Sequence, residues 1–160
     1  MRKAISKGFT LIELLVVISI LAILATVVFV ALNPSQRFID ARNSRRWTDV
    51  DNYLSAVHTC IVDNGGSATP CVGTLTAATV YEIVNTGIAT GCQTSCPAAT
   101  AEASCAVLDT TLASYLKSMP SDPGGVTTDH TEYSISVNAA GLYTIGSCSA
   151  EDGETIEVSR

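Results

Sequence analysis

From Leu14 to Gln36 the chain runs for 23 residues without a charge, and between Leu14 and Leu32 only Ser19 and Thr26 interrupt the apolar side chains. A helix of that length spans about 35 Å, against a hydrocarbon core of about 30 Å. An ordinary cytosolic globular fold is therefore excluded. No second stretch of this kind follows, which also excludes a polytopic transporter. The remainder of the 160 residues is enough for one further small domain.

Charge falls into three blocks. Arg2, Lys3 and Lys7 precede the apolar run without an acid, and Arg37, Arg42, Arg45 and Arg46 follow it beside Asp40 alone. From Trp47 onward, 13 acids face only Lys117 and Arg160, so this part repels phosphates and nucleic acid is not an expected partner. The arginine group reads as an anchor to lipid headgroups, a partner for acids of adjacent subunits, or a solvated helix face, the first two being favoured.

All six cysteines, Cys60, Cys71, Cys92, Cys96, Cys105 and Cys148, lie beyond the apolar run. An even number confined to the distal part predicts disulfides in an oxidising compartment, with 15 connectivities open. Cys92 and Cys96 suit a local clip, and a bridge to Cys148 would tie the C-terminal strands to the body. A zinc site is disfavoured, because no second short cysteine pair accompanies Cys92 and Cys96.

The N-terminus admits a secretory signal peptide, a plain signal anchor, or a third reading. The apolar run is too long for a signal peptide and lacks a small-x-small closure. A plain anchor leaves Glu13 unexplained, since a charge entering a membrane helix costs free energy unless it serves a purpose. The segment Lys7-Gly8-Phe9-Thr10-Leu11-Ile12-Glu13-Leu14-Leu15 resembles the processing site of type IV pilins and type II secretion pseudopilins. The resemblance implies that prepilin peptidase recognises Lys7 and Gly8, cleaves between Gly8 and Phe9 on the cytoplasmic side, and methylates the new Phe9 amine. Glu13 then stands at the position of the family's characteristic glutamate. In an apolar environment its carboxylate would pair with the Phe9 amine of a neighbouring subunit, where an unpaired charge is costly.

Asn33-Pro34 is expected to kink or interrupt the helix. Beyond it Trp47, Val50, Leu54, Val57 and Ile61 recur at helical spacing, with Arg42, Asp49, Asp51 and Asn52 on other faces, up to a stop at Asn64-Gly65-Gly66. Short helices are expected over residues 75–86 and 107–118, and an irregular cysteine-bearing loop from Gly87 to Cys105. After Pro120 the period changes to two, predicting a three-stranded antiparallel meander through Tyr133–Val137, Tyr143–Ile145 and Ile156–Val158.

The expected fold is α+β: a long N-terminal helix packed on a small C-terminal antiparallel sheet, stapled by disulfides. Its parts are a leader (1–8), a transmembrane and filament-core helix (9–33), an amphipathic continuation (34–63) and an extracytoplasmic head (64–160). Ser19, Ala22, Ala25 and Thr26 are small enough to let neighbouring helices approach. Met119-Pro-Ser-Asp122-Pro-Gly-Gly125 loosely resembles a segment of major pseudopilins, a group in which a nearby loop binds calcium. No metal or other cofactor is expected, calcium through Asp122, Asp129 and Glu132 being the lesser reading. Phosphate loop, nucleophile elbow and zinc-protease motif are lacking, so no catalysis is expected, and His58 and His130 read as incidental.

The implied function is a structural subunit of a pilus-like filament or secretion pseudopilus. Its partners would be other pilin subunits, prepilin peptidase, an inner-membrane assembly platform and, before assembly, the bilayer. The implied location is a single pass of the cytoplasmic membrane with the N-terminus inside, then a surface or periplasmic filament. The alternatives are a minor subunit for priming, adhesion or DNA uptake, and an uncleaved, membrane-anchored, disulfide-rich binding domain.

Overall fold

Thr10 opens the first helix. Its hydroxyl accepts from the Glu13 amide while the Glu13 carboxylate reaches back to the Thr10 amide, a capping box that satisfies donors left free at a helix start. In the computed structural model, which describes residues 8–86, 92, 105–125 and 130–160, this helix, α1, covers Leu11–Leu32. It is apolar on every side and none of its residues is buried. Ser19 and Thr26 turn their hydroxyls onto the carbonyls of Val16 and Ala22, so neither leaves a donor unsatisfied in an apolar setting.

Asn33 ends α1 in the left-handed region, at φ 38° and ψ 70°. Its carbonyl then accepts from Gln36 and its side chain from the Ser35 hydroxyl, which starts α2 at Pro34. Proline suits a first helical position, where its missing N–H costs nothing. The expected interruption is thus a single residue wide. Helix α2 runs over Pro34–Asp63 and stops where expected, with the Gly65 and Gly66 amides capping the carbonyls of Val62 and Ile61 and both glycines at positive φ.

The chain divides into two units after Phe38. In the second, Val50, Tyr53, Leu54, Val57 and Cys60 of α2 form the helix side of the core. Cys71 and Val72 of the next helical turn join it, with Ile83, Ala106, Leu108, Leu112, Tyr133, Ile135, Ile145 and Ile156. The rings of Tyr53 and Tyr133 meet at 5.5 Å between centroids, tilted by 52°. Trp47, expected on the buried face, is 40% exposed, whereas Asp49, expected on another face, is buried and accepts from the Tyr133 hydroxyl at 2.9 Å. Burial, with the Asp49 charge adding to it, pushes the Tyr53 and Tyr133 hydroxyls well above their ordinary range, so both remain neutral donors.

After a four-residue helix, α3 (Thr69–Val72), come five strands: β1 (Val80–Val84), β2 (Cys105–Val107), β3 (His130–Val137), β4 (Tyr143–Ser147) and β5 (Glu157–Ser159). Their order is β2-β1-β3-β4-β5. The expected meander is present as β3-β4-β5, but β1 adds to it antiparallel and β2 pairs parallel to β1, so the sheet is mixed.

Two expected helices are corrected. Residues 80–84 form β1, because Val80, Tyr81, Ile83 and Val84 are β-branched or aromatic and the run is too short to favour a helix. Residues 108–118 form consecutive turns. Leu112 and Leu116 each close one α-turn, onto Leu108 and Leu112. Asp109 competes for local donors, accepting from the Thr86 and Thr110 amides and the Thr86 hydroxyl. Those bonds outweigh desolvation and lower its carboxyl pKa.

Cys60 and Cys71 bridge α2 to α3 with Cα atoms 5.9 Å apart, and Asn64 lies against both sulfurs. Cys92 bonds Cys105 rather than closing a clip with Cys96, which lies outside the described residues. Cys148 is disulfide-bonded as well, and among the described residues no cysteine is free. The expected loop over 87–104 otherwise falls outside the described residues.

Candidate functional site

At the N-terminal end, the described chain brings Gly8, Phe9, Thr10 and Glu13 into one short segment; Lys7 lies outside the described residues. Phe9 is exposed, and an added Cβ at Gly8 would meet nothing within 4 Å. Glu13 Oε2 accepts from the Thr10 amide at 2.9 Å and from the Thr10 hydroxyl at 2.8 Å. Both bonds fall on Oε2, which leaves Oε1 open to a second donor. Thr10 was not among the expected site residues, although Thr-x-x-Glu before an apolar run is a sequence signature of this cap.

The second arrangement lies in the head unit and corrects the reading of the arginine group. Arg46 is 1% exposed and pairs within its own chain. Its Nε and Nη2 donate to Asp122 Oδ2 and Oδ1 at 2.5 and 3.0 Å. Its Nη1 donates to Asn43 Oδ1 at 2.7 Å and to Glu151 Oε2 at 2.8 Å. Arg42 grips Glu151 through Nε and Nη2, both at 2.5 Å. These two arginines therefore join α2 to the Pro120–Gly125 loop and to the turn after β4, rather than to lipid or a neighbour's acids. The Arg42 and Arg46 hydrogen bonds hold the Glu151 carboxyl at about 2, below its ordinary 4.5, and Glu151 raises the Arg42 pKa in return. The exposed Arg45 has a 3.6 Å contact with Asp49.

Of the calcium candidates, Asp122 is buried against Arg46, and Oδ1 also accepts from the Gly124 amide at 2.7 Å. Glu132 is buried at φ 60°, beside the β1–β3 bulge, and accepts from the Ser149 hydroxyl at 2.7 Å. Asp129 lies outside the described residues. The two histidines have structural partners: His58 faces the Arg160 carbonyl and His130 faces buried Glu82, each at 3.0 Å.

The family model for the prokaryotic N-terminal methylation motif matches residues 3–29, which takes in Gly8, Phe9, Thr10 and Glu13. The chain carries the type IV pilin and pseudopilin signature. That signature marks a structural, non-enzymatic protein family. Most of the apolar helix Leu11–Leu32 lies within the matched segment, and it is long and apolar enough to cross a membrane, as a membrane-anchored protein requires. Neither a curated protein nor a solved structure matches it.

Proposed function

We propose that the pilin-like chain is a structural subunit of a type IV pilus-like filament or secretion pseudopilus. Prepilin peptidase cuts it between Gly8 and Phe9 and methylates the Phe9 amine, and the subunit then leaves the bilayer to pack helix against helix. The observation that carries this reading is the contiguous run from Gly8 to Glu13 at the start of a helix none of whose residues is buried. No described residue crowds Gly8, so the described part of the chain gives no steric reason for glycine there, and the requirement belongs to the peptidase.

Glu13 carries assembly. In the precursor its charge rests on the donors of its own helix start. After cleavage, Oε1 accepts from the Phe9 amine of a neighbour, while Thr10 holds Oε2 and so fixes the carboxylate's direction. Cleavage is what frees that amine, so processing and assembly are coupled. The apolar residues of 9–32 exchange lipid for other copies of themselves. Heterologous packing of identical subunits yields an open helical filament. The N-terminus starts in the cytoplasm and the disulfide-bearing head lies outside.

The test is Glu13→Gln. The variant is expected to insert and be cleaved as the wild type is, yet to enter sheared surface filaments poorly. Wild-type filament yield from it would refute the assigned role.

A further inference from the structure

The four acceptors around Arg46 are all side-chain oxygens: Asp122 Oδ1 and Oδ2, Asn43 Oδ1 and Glu151 Oε2, at 2.5 to 3.0 Å from its nitrogens. Two carboxylates and an amide carbonyl are the ligand types that calcium selects. Here they enclose a guanidinium, a cation that cannot dissociate from the chain or lose its proton. Asp122, the carboxylate of the Pro-Ser-Asp-Pro segment and one of the three calcium candidates, has both oxygens engaged. Oδ2 is held by Nε, and Oδ1 by Nη2 and the Gly124 amide. Among the described residues, the donor set near this loop therefore does not fit a resident metal.

The geometry points to Arg46 as a built-in cation that does the work of a metal ion, pinning the Pro120–Gly125 loop to α2 through a cage of four side-chain oxygens. The loop is held on its other side by the Tyr53 hydroxyl, which donates to the Pro120 carbonyl at 2.7 Å, so α2 grips it at two points. The head fold is consequently indifferent to divalent cations, and removing the guanidinium exposes a latent site for one. A cleft of about 500 Å³ lined by Arg42, Asp122, Gly124, Glu132 and Glu151 gives an ion access to it. This inference stands whether or not the chain enters a filament.

The experiment uses the full chain in detergent with its disulfides intact, comparing thermal unfolding of the head in EDTA and in millimolar calcium chloride. Wild-type Tm is expected to differ by less than about 1 °C between the two, and Arg46→Ala to lie several degrees lower in EDTA and to recover by about 5 °C or more with calcium. Terbium is expected to compete with calcium for this site, so that saturable sensitised luminescence displaced by calcium appears in Arg46→Ala in excess of any wild-type signal. A wild-type Tm that rises with calcium overturns the inference, as does a folded Arg46→Ala that calcium and terbium leave unchanged. If the alanine variant folds in neither condition, Arg46→Lys takes its place. It keeps a buried cation without the bidentate fork, and is expected to fold with a lowered Tm that calcium does not move. Calcium stabilisation of the lysine variant would overturn the inference too.

Discussion

Arg46 and Asp122 form a two-pronged ion pair at 2.5 and 3.0 Å across 76 residues of sequence, with side chains only 1% and 2% exposed. Removing one partner from such a pair leaves the other charged and buried, which costs about 3–5 kcal/mol. Asp122→Ala is expected to lose that much in denaturant unfolding of the full chain in detergent. The double variant Arg46→Met, Asp122→Leu is expected to regain most of it, because it buries no unpaired charge. Equal losses in the single and double variants would mean that the pair contributes through shape alone.

Gly124 is required by its closeness to that pair. A Cβ there would sit 2.7 Å from Asp122 Oδ1 and 3.4 Å from Arg46 Nη2, and Asp122 is locked by its own hydrogen bonds. Overpacking of this kind costs about 1–3 kcal/mol, so Gly124→Ala is expected to lower stability by that amount. Gly8→Ala, where nothing lies within 4 Å, is expected to leave head stability unchanged while blocking cleavage. Parallel melts and a precursor-to-mature band shift separate the two.

Acid sensitivity follows from Glu151. Its folded pKa is lowered to about 2 from 4.5, chiefly by hydrogen bonds from Arg42 and then Arg46. A depressed carboxyl contributes stability that is complete above the unfolded value and is lost as the pH falls through the folded one. The wild type is thus expected to lose stability between about pH 4.5 and 2. Glu151→Gln is expected to be the weaker protein at pH 7 and to converge on the wild type near pH 2. A constant gap between them across that range would contradict the assignment.

The Cys60–Cys71 bridge closes a short loop at the end of α2. Constraining a loop of that size in the unfolded chain is worth about 3 kcal/mol. Replacing both cysteines with serine is expected to cost close to that in urea titration at neutral pH. A loss near zero would show that Asn64 and the α2 cap hold this corner without the bridge.

Much of this fold is legible in the residues, for reasons that can be named. Pro34 and the Asn64-Gly65-Gly66 stop bracket α2 because proline and glycine act on the backbone directly, whatever packs around them. The alternation in β3, β4 and β5 is readable because Tyr133 and Ile135, Tyr143 and Ile145, and Val158 pack into or against the core. By contrast, Val80–Val84 is a short run whose periodicity suits a helix equally well, and its pairing with β2 and β3 decides the matter. The intramolecular role of Arg46 is hidden when the arginines are read as a charge cluster. Yet Asn43, Arg46, Val50, Tyr53, Val57 and Cys60 follow one another at alternating three- and four-residue steps and are all buried. Polar residues in the register of an apolar stripe are a signal that buried partners await elsewhere in the chain. At the other end, Gly8, Phe9 and Glu13 needed no tertiary information, since the motif that joins them is contiguous.

Processing into a filament subunit is read from the intact mass and N-terminal sequence of the protein taken from its native membrane or surface fraction. A chain beginning at N-methylated Phe9, with residues 1–8 removed, is expected. A chain beginning at Met1, in cells that possess the peptidase, would contradict it and favour an uncleaved anchor carrying a disulfide-stapled surface domain.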